Sequence, residues 1–261
     1  MRVAFWRQLS VTITEFDTLT DRAAWSMADR IVHHATAVGR PLHHDRDLVI
    51  GWLGDRGMFI NAAVVLSPPE DWDAVLGAIG DVVPPGIAAT LTSPYDTPDL
   101  AERGWHLVGY PPLMARLPGG AAAPPIPAEL RIHEVVDQPG LEVFERTLVD
   151  GFPLADLQPY RWGRFYDERV LGGPTRLWLG FVDGHPVATA AAHVAAGVNC
   201  VEMVATLEGR RGRGYGAAVT WAATTADPSL PAILIASDPG RPVYERLGYT
   251  ALTRWTMWLR P

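Results

Sequence analysis

Arg211-Gly212-Arg213-Gly214-Tyr215-Gly216, with Arg210 just before it, is the segment of this chain whose residue types are best suited to hold an anion. A phosphate pair needs several backbone N–H groups converging on one point. Glycines let the backbone come close and adopt positive φ. A helix that starts at the loop adds its free N–H groups and the positive end of its dipole. Arg211 and Arg213 add charge-assisted donors. An Arg-Gly string taken alone also suits a nucleic-acid-binding or flexible segment. The 261-residue chain carries a net charge of -7, which speaks against an extended nucleic-acid footprint.

Other candidate chemistries are weaker. His33-His34 and His43-His44 invite a metal. Adjacent histidines on a helix point about 100° apart and chelate one ion poorly, so solvated or capping histidines are the expectation and no metal is expected. The one cysteine, Cys200, rules out an intrachain disulfide, fits a reducing cytoplasm, and reads as a small buried hydrophobe. The start Met1-Arg2-Val3-Ala4-Phe5-Trp6-Arg7-Gln8 is broken by charge and is not read as a secretory signal. No stretch approaches the roughly 20 apolar residues of a membrane helix. All 22 basic residues are arginine, which fits a GC-rich genome and leaves no lysine amine to be acylated on the chain itself.

The loop needs elements to hold it. Leu130 to Val136, Arg176 to Val182, Val187 to Ala195, Val198 to Leu207, Ala232 to Ala236 and Tyr249 to Leu259 read as strands, with Asp183-Gly184 as a hairpin turn. Leu141 to Gly151, Leu157 to Leu171, Tyr215 to Ala226 and Arg241 to Leu247 read as helices. The phosphate loop thus falls between an apolar strand and a helix. A helix between two strands that form no hairpin implies some parallel pairing, hence an α/β fold with a mixed sheet. Pro118 to Pro127 holds four prolines and two glycines and reads as an interdomain linker.

Two ordered segments resemble the GNAT N-acetyltransferase superfamily. Val204-Ala205-Thr206-Leu207-Glu208-Gly209-Arg210-Arg211-Gly212-Arg213-Gly214-Tyr215-Gly216 is similar to its acetyl-CoA motif, and Ser237 to Tyr249 is similar to its later tyrosine-bearing segment. The resemblance covers about residues 129–261. It implies that pantetheine lies along the splayed strand Val204, Ala205 and Thr206. It implies too that N–H groups of Arg211, Gly212, Arg213, Gly214, Tyr215 and Gly216 hold the pyrophosphate of acetyl-CoA. Two departures stand out. Glu208-Gly209 replaces the frequent proline and glutamate, and Ser237 the frequent asparagine.

The resemblance makes Tyr244 the candidate general acid for the departing CoA thiolate, against plain packing between helix and sheet. Glu202, two residues before Val204 and so expected on the same face, is a candidate base or amine anchor, or one half of a structural ion pair. His193 is a second candidate base or a satisfied core histidine. Tyr160-Arg161-Trp162-Gly163-Arg164-Phe165-Tyr166 either packs a helix or walls an acceptor pocket.

The N-terminal part reads as a worn copy of the same unit. Leu48 to Asp55 resembles Leu177 to Gly184, and Ala101 to Trp105 resembles Tyr244 to Tyr249. It has Leu66-Ser67-Pro68-Pro69-Glu70-Asp71-Trp72 where the glycine loop would be, and Ala101 in place of Tyr244. The expected organisation is tandem GNAT-like folds: a degenerate domain over 1–117, a linker over 118–128, and a catalytic domain over 129–261. The expected activity is transfer of an acetyl group from acetyl-CoA to the primary amine of a small molecule or peptide. Neither nucleic acid nor membrane is expected as a partner, and the chain is expected as monomer or homodimer. Two alternatives are a non-catalytic acyl-CoA-binding sensor or interaction protein, and a transferase of a different acyl group, aminoacyl transfer from tRNA among them. An intact loop with Tyr244 disfavours the first, and acidity with an intact loop disfavours transfer from tRNA.

Overall fold

The computed structural model describes residues 17–54, 60–120, 122–152, 158–163 and 165–261. The expectation for Met1 to Gln8, and Asp55, Ala121, Leu157 and Arg164 within longer expectations, lie outside them. The first described helix, α1 (Leu19–Val38), opens on a capping box: Asp21 N–H donates to Thr18 Oγ1, and Thr18 N–H donates to the Asp21 carboxylate. Next come β1 (Leu42–His44), β2 (Leu48–Gly51), β3 (Ala62–Val65), α2 (Trp72–Val82), β4 (Ala89–Ser93) and β5 (His106–Gly109). The chain continues through β6 (Pro112–Arg116), β7 (Leu130–Glu134), α3 (Gln138–Gly151), β8 (Thr175–Val182), β9 (His185–Ala195), β10 (Val198–Thr206), α4 (Tyr215–Thr224), β11 (Ala232–Ile235), α5 (Arg241–Arg246), β12 (Thr250–Arg254) and β13 (Thr256–Arg260). The five α-helices described include none long and apolar enough to cross a membrane.

These elements form two mixed sheets. One has the order β1-β2-β3-β4-β13-β5 and is antiparallel except for β3 with β4. Its core holds Ile50, Ile79, Leu91, Leu100 and Trp105, with Trp258 of β13 donating its indole N–H to Thr97 Oγ1 at 2.9 Å. The other has the order β12-β6-β11-β10-β9-β8-β7 and is antiparallel except for β10 with β11. Its core gathers Met114, Trp178, Ala188, Val201, Val219 and Leu234. In both sheets the parallel pair is bridged by one helix, as the periodicity required.

Three expectations are corrected. The chain divides at Tyr110/Pro111 and again at Arg254/Trp255, not in the proline-rich run: one unit is residues 1–110 with 255–261, the other is 111–254. Ladder pairing decides this, because β6 inserts between β11 and β12 while β13 inserts between β4 and β5. The expected single strand Tyr249 to Leu259 is two strands broken at the fully buried Trp255, each in a different sheet. Alternation continues across the break, so period alone cannot reveal it. The expected helix Leu157 to Leu171 is absent from its described residues, which hold only a 3-10 turn at Glu168–Val170.

A fragment of residues 118–261 therefore lacks the strand that both β11 and β12 pair with. It is expected to show no cooperative thermal transition by circular dichroism. A sharp transition with native near-ultraviolet signal would contradict this strand assignment.

Candidate functional site

β10 and β11 pair only at Asn199↔Ala232 and Cys200↔Ile233. Beyond that, β11 keeps its other partner through Leu234↔Met114 and Ile235↔Leu113, and β10 keeps β9 through Thr206↔Ala188. The two parallel strands therefore part. From Val201 to Thr206 the edge of β10 that faces β11 is outside the β10–β11 ladder, and backbone groups of Val204 and Ala205 on it are in reach of an extended ligand. In open α/β sheets such a crevice at the carboxyl ends of strands is where ligands bind.

A bulge lies on the same stretch. Glu202 pairs with Ala191 and Ala205 with Thr189, so β10 spends one residue more than β9. Met203 takes φ +52°, a left-handed value uncommon for a side-chain-bearing residue. Thr189 Oγ1 donates to the Met203 carbonyl at 2.9 Å and holds the distortion. The bulge overturns one expectation. Directly opposed residues share a face, and Thr189 and Ala191 share one by alternation, so Glu202 is on the face of Ala205. That face meets α3, where a Cβ on Gly151 would lie 3.2 Å from Ala205 Cβ. Val204 instead packs with Val201 in the core beneath α4. Glu202 and Val204 thus point to opposite faces, because the extra residue breaks the period of two.

After β10 the chain makes a 3-10 turn at Glu208–Arg210, and then Gly212 (φ +74°) and Gly214 (φ +82°) turn it into α4. Both glycines are needed there, since left-handed φ strains any other residue. Gly214 is the N-cap of α4, and no side chain caps it. Among the described residues no acceptor meets the N–H groups of Gly212, Arg213, Gly214, Tyr215, Gly216 and Ala217. Six such donors, in the loop before α4 and in its first turn, make a cradle of the kind that suits an anion. Gly216 sits tightly on β10, where an added Cβ would come 2.8 Å from Thr206 Oγ1.

The arginines divide their labour differently from the expectation. Arg211 donates its N–H to the Glu208 carbonyl, and its guanidinium bonds the carbonyls of Thr206 (3.1 Å) and Gly151 (2.8 Å). It clamps the end of α3 to the end of β10, and its N–H is not part of the cradle. The Tyr215 hydroxyl donates to Glu129 Oε1 at 2.7 Å. This bond holds the Glu129 carboxyl below its usual range and raises the Tyr215 phenol, while the Arg213 charge also lowers Glu129. Tyr215 offers the cradle only its N–H.

Tyr244 lies on α5, in the segment after β11, and Val204 packs against the same core cluster. Its ring meets Tyr249 edge-on at 6.1 Å, and Tyr249 shares a 2.7 Å hydrogen bond with Thr224 Oγ1. Ser237 Oγ accepts from Gly240 N–H at 3.2 Å and its carbonyl accepts from Arg241 N–H, so Ser237 sets the turn into α5. Tyr244 is half-buried. Burial pushes its phenol up to about 12.

Of the remaining candidates, His193 is fully buried with Nδ1 2.9 Å from Thr175 Oγ1, which is a core role. Cys200 is buried, as expected. His33 and His34 are buried with their rings 5.6 Å apart, so the solvated expectation fails for them; His43 contacts Asp45 at 3.0 Å. No group of histidine, cysteine or acidic residues among the described residues could hold a metal. Glu145, Glu129 and the Thr189–Met203 bond were not anticipated. Glu145 had a signal: it occupies an apolar-stripe position with Leu141, Phe144 and Leu148, where a carboxylate requires partners.

Over most of its length the chain has the fold of the GNAT superfamily. A GCN5-related N-acetyltransferase from Kribbella flavida is similar at a TM-score of 0.68 and 26% identity, covering 93% of this chain and 96% of that one. A putative GNAT-family acetyltransferase from Novosphingobium aromaticivorans is similar in fold at a TM-score of 0.59 and 16% identity, covering 93% and 98%. A GCN5-related N-acetyltransferase from Sphaerobacter thermophilus gives a TM-score of 0.51 at 16% identity, covering 92% and 94%. No protein-family model and no curated protein matches the sequence.

Two outcomes follow from this geometry. Arg211→Ala removes two bonds to backbone carbonyls at an exposed site, costing about 1 kcal/mol. The melting temperature should fall by about 2–4 °C; no fall would show the clamp to be idle. The Tyr244 phenol stands at about 12 folded and about 10 unfolded. Its contribution to stability is therefore complete below about pH 10 and is lost as pH rises through the folded value. Thermal unfolding from pH 9 to 11.5 should show a shallower decline for Tyr244→Phe than for the native chain. Parallel declines would contradict the burial assigned to this hydroxyl.

Proposed function

We propose that the chain is an acyltransferase that moves an acetyl group from acetyl-CoA to a primary amine of a small molecule or peptide. The observation that carries this is the cradle of N–H groups from Gly212 to Ala217, set at the end of the open β10 edge. Its residues fit the co-substrate. The uncapped helix start suits a pyrophosphate, the edge of β10 at Val204 and Ala205 that lacks a β11 partner suits the amides of pantetheine, and Arg210 and Arg213 suit further phosphate charge.

Tyr244 is the proposed general acid. Attack of the amine nitrogen on the thioester carbon breaks the C–S bond, and the thiolate needs a proton. A phenol held protonated by burial can supply it across the whole physiological range and regain it from the ammonium product through solvent. Glu202, on the opposite face, would take the proton of the incoming ammonium or anchor it. The acceptor then approaches from the α3 side, while Tyr244 works from the α4 side.

The N-terminal unit fits a degenerate copy. Its parallel pair is also bridged by a helix, but α2 is capped by its own Asp71, whose carboxylate accepts from Asp73 N–H at 2.8 Å. A carboxylate at that helix start repels an anion. Ala101 opens the 3-10 turn between β4 and β5, in the same place as α5 between β11 and β12. Sheet order aligns β2 with β9, so the likeness of Leu48 to Asp55 with Leu177 to Gly184 is offset by one strand, whereas that of Ala101 with Tyr244 keeps its place.

Saturating acetyl-CoA at about 100 times its Kd should add about 2.7 kcal/mol of stability, about 5–10 °C in melting temperature. With an amine panel as acceptors, Tyr244→Phe should lower kcat by about 10²-fold while acetyl-CoA affinity stays within a few-fold. Acetyl-CoA binding with no turnover of any amine would favour a sensor, and an unchanged kcat in the variant would remove the acid role.

A further inference from the structure

The most solvent-excluded carboxylate in the site-bearing unit is one the chemistry above does not use. Glu145, on α3, has no exposed surface. It lies in the same helical stripe as Leu141, Phe144 and Leu148, which are buried. Its Oε1 accepts N–H bonds from Phe165 at 2.7 Å and Tyr166 at 2.8 Å, and its Oε2 accepts from Gly163 at 2.9 Å. The Tyr160 hydroxyl reaches Oε2 at 3.4 Å and the Glu142 carbonyl at 3.2 Å. Tyr160 is also covered by the Arg146 guanidinium, 4.7 Å from its ring centre. One buried side chain therefore satisfies three main-chain donors of a segment without regular structure, each by a short charge-assisted bond. Gly163, Phe165 and Tyr166 are thus tied to α3 by this carboxylate and not by a helix of their own.

The location gives this anchor a function. Glu145 is six residues before Gly151, about 9 Å along the helix. Gly151 rests on Ala205 and Thr206 and accepts the Arg211 clamp. α3 thus lies on the Glu202 face of β10, opposite the face that carries Val204 and Tyr244. Phe165 and Tyr166 are buried, and Phe144 meets Tyr166 edge-on at 5.8 Å, so the segment is packed in place as well as bonded.

We infer that Glu145 is a positioning residue for the acceptor: its carboxylate holds Tyr160, Gly163, Phe165 and Tyr166 against α3, and these residues form the acceptor side of the site next to Glu202. This rests on the acyl-transfer role assigned to the site. Removing the anchor then weakens acceptor binding and leaves the acetyl-CoA cradle, on the other face, intact.

The test uses the full chain and the Glu145→Gln variant, which keeps size but sets an amide N–H₂ against backbone donors. The probe acceptors are benzylamine, tyramine, cadaverine and a tripeptide amine, and the fastest with native chain is used throughout. The expected result is a rise of about tenfold or more in acceptor KM, with kcat and acetyl-CoA KM each within about threefold. Hydrogen exchange should show Gly163, Phe165 and Tyr166 amides losing protection while β9 and β10 keep theirs. An unchanged acceptor KM with those amides released overturns the inference, as does an equal loss of acetyl-CoA affinity. If Glu145→Gln fails to fold, Tyr160→Phe, at the same carboxylate, should raise acceptor KM by about threefold, and no rise overturns it. A native chain that neither binds acetyl-CoA nor acetylates any probe would instead refute the acyl-transfer role, a result separable from these.

Discussion

Two parallel strands that stop pairing after two residues are what the rest of the site depends on. Had β10 and β11 stayed hydrogen-bonded past Cys200 and Ile233, no main-chain edge would be open to a ligand, and the glycine loop would cap a closed sheet. The separation is supported from both sides. β11 is held by β6 on its far edge, and β10 by β9, with the bulge at Met203 pinned by Thr189. The cost of leaving polar backbone unpaired is tolerable only where something else satisfies it. An extended amide-bearing ligand ending in phosphates is such a partner.

The bulge also organises the chemistry. One extra residue in β10 turns Glu202 and Val204 to opposite faces, which sets the proposed base toward α3 and leaves the proposed acid, Tyr244, with Val204 in the core beneath α4. Burial raises the Tyr244 phenol and so keeps it protonated across the physiological range. Arg211, the most eye-catching cation of the loop, spends its charge on carbonyls and makes α3, β10 and the loop one piece.

Much of this was legible in the sequence, for physical reasons that differ by residue. Gly212 and Gly214 announce left-handed backbone, and the structure places both there. Strands β7 to β11 and helices α4 and α5 follow their periodicity within one or two residues, and α3 starts three residues earlier than expected, at Gln138. What was not legible depends on partners far along the chain. Pro112 to Arg116 and Thr256 to Arg260 each pair in a sheet built mainly by the other half, and no local pattern encodes that choice. The bulge at Met203 leaves no mark in an apolar run, so Glu202 was assigned the wrong face. The stretch from Tyr160 has the aromatic content of a packed helix, yet its described residues have no regular structure, and the Glu145 carboxylate bonds the N–H groups of Gly163, Phe165 and Tyr166.

The central claim is one coenzyme A site per chain, built on the Gly212–Ala217 cradle. Calorimetric titration of acetyl-CoA into the native chain and into Gly214→Val tests it most directly. The variant forces a β-branched residue into φ +82° at the mouth of α4, where an added Cβ has ordinary room, 3.5 Å from Pro127. Strain falls on the loop, at about 1–3 kcal/mol. The account predicts one molecule bound per native chain and none by the variant, whose circular dichroism stays native. Two bound per chain, or equal binding by the variant, would contradict it.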